Sequence, residues 1–328
     1  MENKILGFGS PLMDILSKAS DEEIKSYGLI KGGMTLVDLD TSNRIQEGLF
    51  ESAMSPGGSA GNTITACARL GLTACFFGKI ADDEIGKKFM RSMKESGVMP
   101  HLIKSTDKDK GTGRVISLIT EDSERTFATH LGAAVDLSPE DIPDALFDEY
   151  KYVYIEGYLV NNRELITHLC RRAKEHDCTI AIDLASFNIV EENKAFFNEM
   201  IDAYIDIVFA NEEEAEALTG YGPEDALRHL QERCSITVVK AGDKGSYTAD
   251  KENEAKIEIE KVKAVDTTGA GDFYSAGFLY GVLKGEDIGV CGKIGSILSR
   301  EVVQQFGTAL DDSIWEKIKK EAEGIRKE

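Results

Sequence analysis

Asp266-Thr267-Thr268-Gly269-Ala270-Gly271-Asp272-Phe273-Tyr274-Ser275-Ala276-Gly277 is the stretch on which the reading of this 328-residue chain turns. Strand-like sequence ends near Val265, three small residues follow, and helical periodicity then begins. Phe273, Ala276, Gly277 and Tyr280 recur at i, i+3, i+4 and i+7, which predicts one apolar helix face. Gly269-Ala270-Gly271 therefore falls at a helix N-terminus, where unpaired N–H groups and the helix dipole form an anion site. Asp272 lies in the first turn, so a carboxylate stands beside whatever anion settles there. A carboxylate next to a phosphate is placed to take a proton from an attacking hydroxyl. Two glycines alone can equally make a tight turn, with Asp272 only stabilising the dipole. The flanking Asp266-Thr267 and the small-residue helix face set this string apart from a bare turn.

Outward from that string, apolar runs at 151–156 (KYVYIE), 179–184 (TIAIDL), 206–210 (DIVFA) and 235–240 (SITVVK) predict short buried strands. Amphipathic stretches such as 163–175 and 224–232 lie between them. Strand, helix, strand in this order predicts right-handed crossovers and a mostly parallel sheet, an α/β fold. Residues 5–8 and 74–80 read as further strands of that sheet. Two polar segments with weaker strand character, about 14–53 and 102–130, interrupt the alternation. Within them 35–39 (TLVDL) and 114–120 (RVISLIT) fit half-exposed strands of a small β lid projecting from the main sheet. No Pro/Ser linker divides the chain, so residues 1–328 are expected to form a single α/β domain with the lid inserted in it. From residue 312 onward the charged tail predicts a helix burying Ile314, Trp315, Ile318 and Ala322.

Composition narrows the partners. Against 58 acidic residues stand 38 basic ones, a formal net charge of −20, which argues against non-specific binding to nucleic acid or to an anionic membrane. No run approaches the roughly 20 apolar residues of a membrane span. The N-terminal residues run straight into Ile5-Leu6-Gly7-Phe8, too briefly for a signal peptide. Six cysteines without a C-x-x-C pair predict buried free thiols in a reducing cytoplasm. Five histidines in no ligand spacing make a zinc site an unfavoured reading.

The string D-T-T-G-A-G-D-x-x-x-A-G resembles the signature of the ribokinase-like kinases, the PfkB carbohydrate kinase family. A second segment stands where that family has one: Pro56-Gly57-Gly58-Ser59-Ala60-Gly61-Asn62, leading into an apolar helix face at Ile64, Cys67 and Ala68 that Gly71 can cap. Asn211-Glu212-Glu213-Glu214 resembles the family's N-x-x-E motif, though four polar residues opening a helix are also ordinary caps. Lys240-Ala241-Gly242-Asp243-Lys244-Gly245 resembles the T-x-G-x-x-G stretch near the nucleotide. No Walker A loop occurs. The resemblance runs from Gly7 to Gly307 and implies a three-layer ribokinase-like fold and ATP-dependent phosphoryl transfer to a primary hydroxyl.

Residue roles follow from the resemblance. It implies Asp272 as base, with Gly269, Ala270 and Gly271 stabilising the transferring group. On the acceptor side it implies Asp14, Gly57, Gly58, Asn62 and Arg125, the last within Ser123-Glu124-Arg125-Thr126. Along the ATP it implies Asn211, Lys240, Gly242, Gly245 and Thr267. Mg2+ would be organised through water by Asn211 and Glu214, and K+ has a candidate site at Asp266 and Thr268. Gly9–Ile15 (GSPLMDI), 154–160 (YIEGYLV), 183–187 (DLASF) and 209–215 (FANEEEA) look closer to adenosine-kinase-like members than to ribokinase. Ser10 departs from that pattern, which usually has Asn there. The implied acceptor is a small-molecule sugar or nucleoside, and the lid sheet can pair edge to edge into a homodimer, as in ribokinases, or stay capped by extra structure, as in adenosine kinases. The rival reading is a non-catalytic nucleotide or sugar sensor on the same fold. A Rossmann dehydrogenase fails because Gly7-Phe8-Gly9-Ser10-Pro11-Leu12 lacks the third glycine.

Overall fold

A computed structural model describes residues 4–49, 52–107, 109–122 and 124–327; Ser123 of the lid motif and the first three residues lie outside the described set. The strands are β1 Lys4–Phe8, β2 Leu12–Lys18, β3 Met34–Leu36, β4 Ala53–Gly57, β5 Thr73–Ile80, β6 Met99–Lys104 and β7 Gly113–Ile119. They continue with β8 Arg125–His130, β9 Tyr152–Glu156, β10 Thr179–Asp183, β11 Ile207–Asn211, β12 Ile236–Lys240, β13 Ser246–Asp250 and β14 Glu254–Ile257. Nine of them form one sheet in the order β14-β13-β12-β11-β10-β9-β1-β5-β6. From β6 to β12 every pairing is parallel, and β13 and β14 close the far edge as an antiparallel hairpin.

Side chains of the parallel strands alternate between two cores. Phe8, Val153, Ile155, Ile180 and Ile182 pack on one side with Leu165 and Leu169 of helix Arg163–Glu175 and Phe197 of helix Phe187–Ala203. Ile5, Tyr154, Ala181, Phe209 and Val238 pack on the other with Ile64, Phe273, Phe278 and Ile294 of three further helices. Burial on both faces is why these strands read as nearly continuous apolar runs. The result is an α/β sandwich of three layers with a mostly parallel central sheet.

The second sheet, β3-β8-β7-β2-β4, is the lid. It comes from two insertions, β2 to β4 between β1 and β5, and β7 to β8 between β6 and β9. One lid face packs Ile15, Ile116, Leu118 and Ala128 against Ile24 and Ile45 of helices Asp21–Ser26 and Leu39–Glu47. The stretch at 102–104 belongs elsewhere: it ends β6, which pairs with β5 on the edge of the main sheet. β6 is half-exposed, so its sequence carries the same weak pattern as a lid strand.

Two local expectations are corrected. No strand leads directly into Val265, which is 57% exposed; the last strand ends at Ile257, and Val265 and Asp266 N–H both donate to Val303 O. A loop held by a single carbonyl replaces the ladder that the alternating sequence suggested. Helix Ala270–Lys284 is also not one-sided, because Phe273 through Gly281 are all buried. It lies between the sheet and helix Ile288–Val302, so close that a Cβ on Gly277 would come within 2.8 Å of Gly295 Cα. In helix Asp312–Ile325 Trp315, Ile318 and Ala322 are buried as read, with Ile314 partly so. All six cysteines are free and buried, and burial pushes the Cys75 thiol up to about 11. Among the described residues no helix is long and apolar enough to cross a membrane.

Candidate active site

The carboxyl ends of the parallel strands converge, as ligand sites of open α/β sheets do. Ser10 follows β1, Glu156 ends β9, Asp183 ends β10, Asn211 ends β11 and Lys240 ends β12. Each of these polar residues terminates an apolar run, where the strand leaves the core. The signature turn faces them from helix Ala270–Lys284. Gly269 is its N-cap at φ +74°, a conformation that favours glycine, and no side chain caps the first turn. An uncapped N-terminus on a buried helix leaves N–H groups free for an anion. A Cβ on Gly271 would come 3.1 Å from Lys240 Nζ, so glycine keeps the space between that ammonium and the helix start open.

Asp272 is fixed from the helix that follows the paired glycines. Ser59 Oγ donates to its Oδ1 at 2.8 Å, and Asn62 Nδ2 donates to its Oδ2 at 2.9 Å. Both donors lie at the start of helix Ser59–Arg69, and Thr63 Oγ1 adds a bond to Asp272 O at 3.2 Å. Burial pushes the carboxyl up to about 6, with Asp183 adding to the rise and the bonds from Asn62 and Ser59 opposing it. Such a group is ionised at neutral pH yet more basic than an exposed aspartate, which suits a general base.

Asp14 sits mid-strand in β2, and a Cβ on Gly57 would lie 2.3 Å from its Oδ2. Burial first, then the charges of Asp272 and Asp266, push it up to about 7. Gly58 takes φ +85°, and a Cβ there would meet Ser10 O at 2.5 Å. We expect Gly58→Ala to cost about 1–3 kcal/mol of stability through strain at this position and to raise the acceptor KM, measured by urea titration and steady-state kinetics.

Arg125 reaches down from β8. Its Nη1 donates to Asp266 Oδ1 at 2.8 Å and to Thr268 Oγ1 at 3.0 Å, while its guanidinium lies over the Phe306 ring. Gly307 N donates to Asp266 Oδ2 at 2.8 Å. Both side chains named as candidate K+ ligands are thus engaged by a lid arginine.

At the end of β11, Asn211 and Glu214 form a closed cap. Asn211 Oδ1 accepts from Glu214 N at 2.8 Å, and both Glu214 oxygens accept from Asn211. Burial and the charge of Asp183 push Glu214 up to about 7. Lys240 Nζ donates to Asp183 Oδ2 at 2.8 Å. Burial opposes the ammonium, but Asp183 and Glu214 outweigh it and hold Lys240 above its ordinary range. Gly242, at φ +55°, has open space around its Cβ position, whereas Gly245, at φ +94°, is pressed against Ile257 O. Thr267 is exposed, and its carbonyl accepts from Ala270 N.

Four residues of this centre escaped the sequence reading: Ser59, Glu156, Asp183 and Ser275. Glu156 is 1% exposed and ties the turn after β1 to the start of helix Ser59–Arg69, accepting from Ser10 N at 2.7 Å and Ala60 N at 3.0 Å. Ser275 Oγ donates to Asp183 Oδ2 at 3.1 Å. An acid closing an apolar strand run was the available signal for Glu156 and Asp183. Nothing local marks the two serines.

The carbohydrate kinase model of the pfkB family matches residues 23–315. The chain is 26% identical over 308 residues to the 5-dehydro-2-deoxygluconokinase of Bacillus velezensis, covering 89% of this chain and 93% of the relative. The solved adenosine kinase of Sinorhizobium meliloti superposes with a TM-score of 0.86 at 32% identity, over 98% of this chain and all of that one (100%). A probable sugar kinase of Rhizobium etli CFN 42 does so with 0.85 at 31% identity, over 99% and 100%. Kinases of sugars and of nucleosides thus share the architecture around this cleft, and the chain belongs to the pfkB family of carbohydrate kinases.

Proposed function

We propose that the chain transfers the γ-phosphoryl group of Mg·ATP directly to a primary hydroxyl of a sugar or ribonucleoside, with Asp272 as general base. The observation that supports this reading most is the Asp272 carboxylate, pinned by Ser59 and Asn62 beside an uncapped helix N-terminus. Asp272 takes the acceptor proton as the acceptor oxygen bonds to phosphorus. The bond to the bridging oxygen breaks in line, and ADP leaves. Amides at Gly269 and Gly271 stabilise the charge on the transferring group, joined by Ala270 N–H once it leaves the Thr267 carbonyl. Lys240 neutralises phosphate charge from the β12 side, and the Gly242–Gly245 turn and Thr267 border the nucleotide. Asp14, Gly57, Gly58 and Asn62 hold the acceptor. Arg125, carried by the lid, brings a positive charge to the signature turn and closes the cleft against water, which protects ATP from hydrolysis.

Mg2+ keeps most of its waters, so a buried carboxylate at Glu214 and the Asn211 amide suit contact through water; when bound it neutralises phosphate charge. K+ near Asp266 and Thr268 would have to rely on backbone carbonyls, because Arg125 engages their side chains. A homodimer through the lid would use the edges of β3 or β4, since helices cover the outer face. Buried free thiols support a cytoplasmic setting. ADP release from Mg·ATP, dependent on both acceptor and divalent metal and measured with and without K+, is the expected result. Acceptor-independent release, or none with any alcohol, would overturn the reading.

A further inference from the structure

The outer side of the lid buries a cation with no carboxylate paired to it among the described residues. Arg114 lies in β7, and side chains alternate along a strand, so Arg114, Ile116 and Leu118 share one face. Ile116 and Leu118 pack under the lid helices. Asp14 pairs with Val115 and Arg125 with Ile119, on the opposite face that looks onto the catalytic centre. Arg114 therefore points away from the catalytic cleft.

Arg114 is 5% exposed. Its Nη1 donates to Gln46 Oε1 and its Nη2 to Asn43 Oδ1, both neutral amides of helix Leu39–Glu47. Its Nε–H is buried without an acceptor. Burial holds the guanidinium below its ordinary range, and the charge of Asp83 opposes that fall. Asp83 is committed elsewhere, accepting from Gly86 N, Thr112 N and Thr112 Oγ1. Buried charges are ordinarily paired, because an unpaired one keeps its full desolvation cost.

Beside the guanidinium lies a cavity of about 270 Å³ lined by Asn43, Gln46, Glu47 and Arg114. Both amide oxygens accept from Arg114, so their N–H2 groups remain as donors, and neither has a protein acceptor among the described residues. A guanidinium with two amide N–H2 groups is a donor set for a carboxylate. His130, the cross-strand neighbour of Arg114, adds no second cation: burial and the Arg114 charge hold its imidazole below its ordinary range. Glu47, exposed at the rim, repels a dianion but can accept from a hydroxyl or an ammonium. One buried cation and one carboxylate at the rim fit a monoanion that carries donors at its other end.

We propose that this cavity is a second binding site, separate from the catalytic cleft, for a small organic carboxylate bearing hydroxyl or ammonium groups. Its carboxylate meets Arg114, Asn43 and Gln46, and its hydroxyl or ammonium meets Glu47. Bound there, it supplies the counter-charge and fastens helix Leu39–Glu47 to β7.

The test is calorimetric titration of the whole chain with glycerate, alanine, acetate, inorganic phosphate and sulfate in chloride buffer at fixed ionic strength, alongside melting temperatures. Glycerate tries the hydroxyl and alanine the ammonium; binding of either, with a raised melting temperature, is the expected result. Gln46→Glu places a carboxylate where Arg114 Nη1 donates, so it should raise the melting temperature without ligand. It should also weaken binding about tenfold or more, the factor that loss of one charge-assisted hydrogen bond carries. Arg114→Met should weaken binding as much, with the ligand-free melting temperature unchanged or raised, because no buried charge is left unpaired. That pattern, with the affinity for Mg·ATP kept in both variants, supports the proposal. Binding indifferent to both substitutions overturns it, as does the absence of binding by both glycerate and alanine. Acetate, phosphate or sulfate held through Arg114 as tightly as those two overturns the assignment to a donor-bearing carboxylate. A melting temperature that falls in Arg114→Met and fails to rise in Gln46→Glu makes Arg114 a structural tie and overturns the site.

Discussion

Asp272→Asn lowers kcat by about three orders of magnitude while the affinity for Mg·ATP changes little. Removing a positioned general base costs about 10²–10⁴-fold in rate, and in the proposed mechanism Asp272 meets the acceptor hydroxyl rather than the nucleotide. Its two restraints, Ser59 Oγ and Asn62 Nδ2, are both donors aimed at a carboxylate. An asparagine can accept one of them but turns its own N–H2 toward the other, so Asn62 loosens as well and the acceptor KM rises. The pH profile separates this from a structural defect. In the unaltered protein Asp272 must be deprotonated to act, and burial puts that ionisation at about 6. The acceptor kcat/KM therefore falls as pH drops through about 6. Asp14, pushed up to about 7, steepens the same limb because its ionised form accepts hydroxyls best. In Asp272→Asn the limb near 6 disappears and the residual rate keeps only the dependence on Asp14, moved to lower pH because the charge of Asp272 no longer raises that carboxyl. Loss of ATP affinity in proportion to turnover, measured by equilibrium titration of the nucleotide, would make Asp272 a structural residue.

That prediction was within reach of the sequence because the signature turn is local chemistry. A helix start, its glycines and its first-turn acid lie within six residues, and no distant partner is needed to see what they form. The parallel strands were legible for a related reason, since burial on both faces forces apolar runs at β9 through β12. Legibility failed where the deciding partner is remote. Glu156 meets Ala60 from 96 positions away, and Asp183 meets Lys240 from 57 away. Ser59 acquires its importance only when helix Ser59–Arg69 packs against helix Ala270–Lys284. The lid's extent was blurred for the opposite reason: β6, at the exposed edge of the main sheet, has the weak alternation of a lid strand. The stretch before Val265 alternates without any strand to pair with.

Lys240→Met is expected to destabilise the fold by about 3 kcal/mol, and the loss comes from what it leaves behind. Asp183 is 6% exposed at its side chain and Lys240 14%, so the pair is shielded from water. With methionine in place, Asp183 retains, among the described residues, only the Ser275 hydroxyl at 3.1 Å and the Ala185 N–H at 3.2 Å. Breaking a buried pair from one side costs about 3–5 kcal/mol because the other charge stays buried and unpaired. The partial exposure of Lys240 places the expected value at the low end. Urea titration should show a lowered midpoint at unchanged slope. Adding Asp183→Asn removes the orphaned charge, so the double variant should recover most of the stability. Activity should not follow. Lys240 Nζ lies where a Cβ on Gly271 would almost touch it, at the mouth of the uncapped helix, and no neutral side chain supplies its charge to a phosphate there. A double variant that regains turnover together with stability would show that Lys240 serves only to pair with Asp183, and would remove it from the nucleotide side of the site.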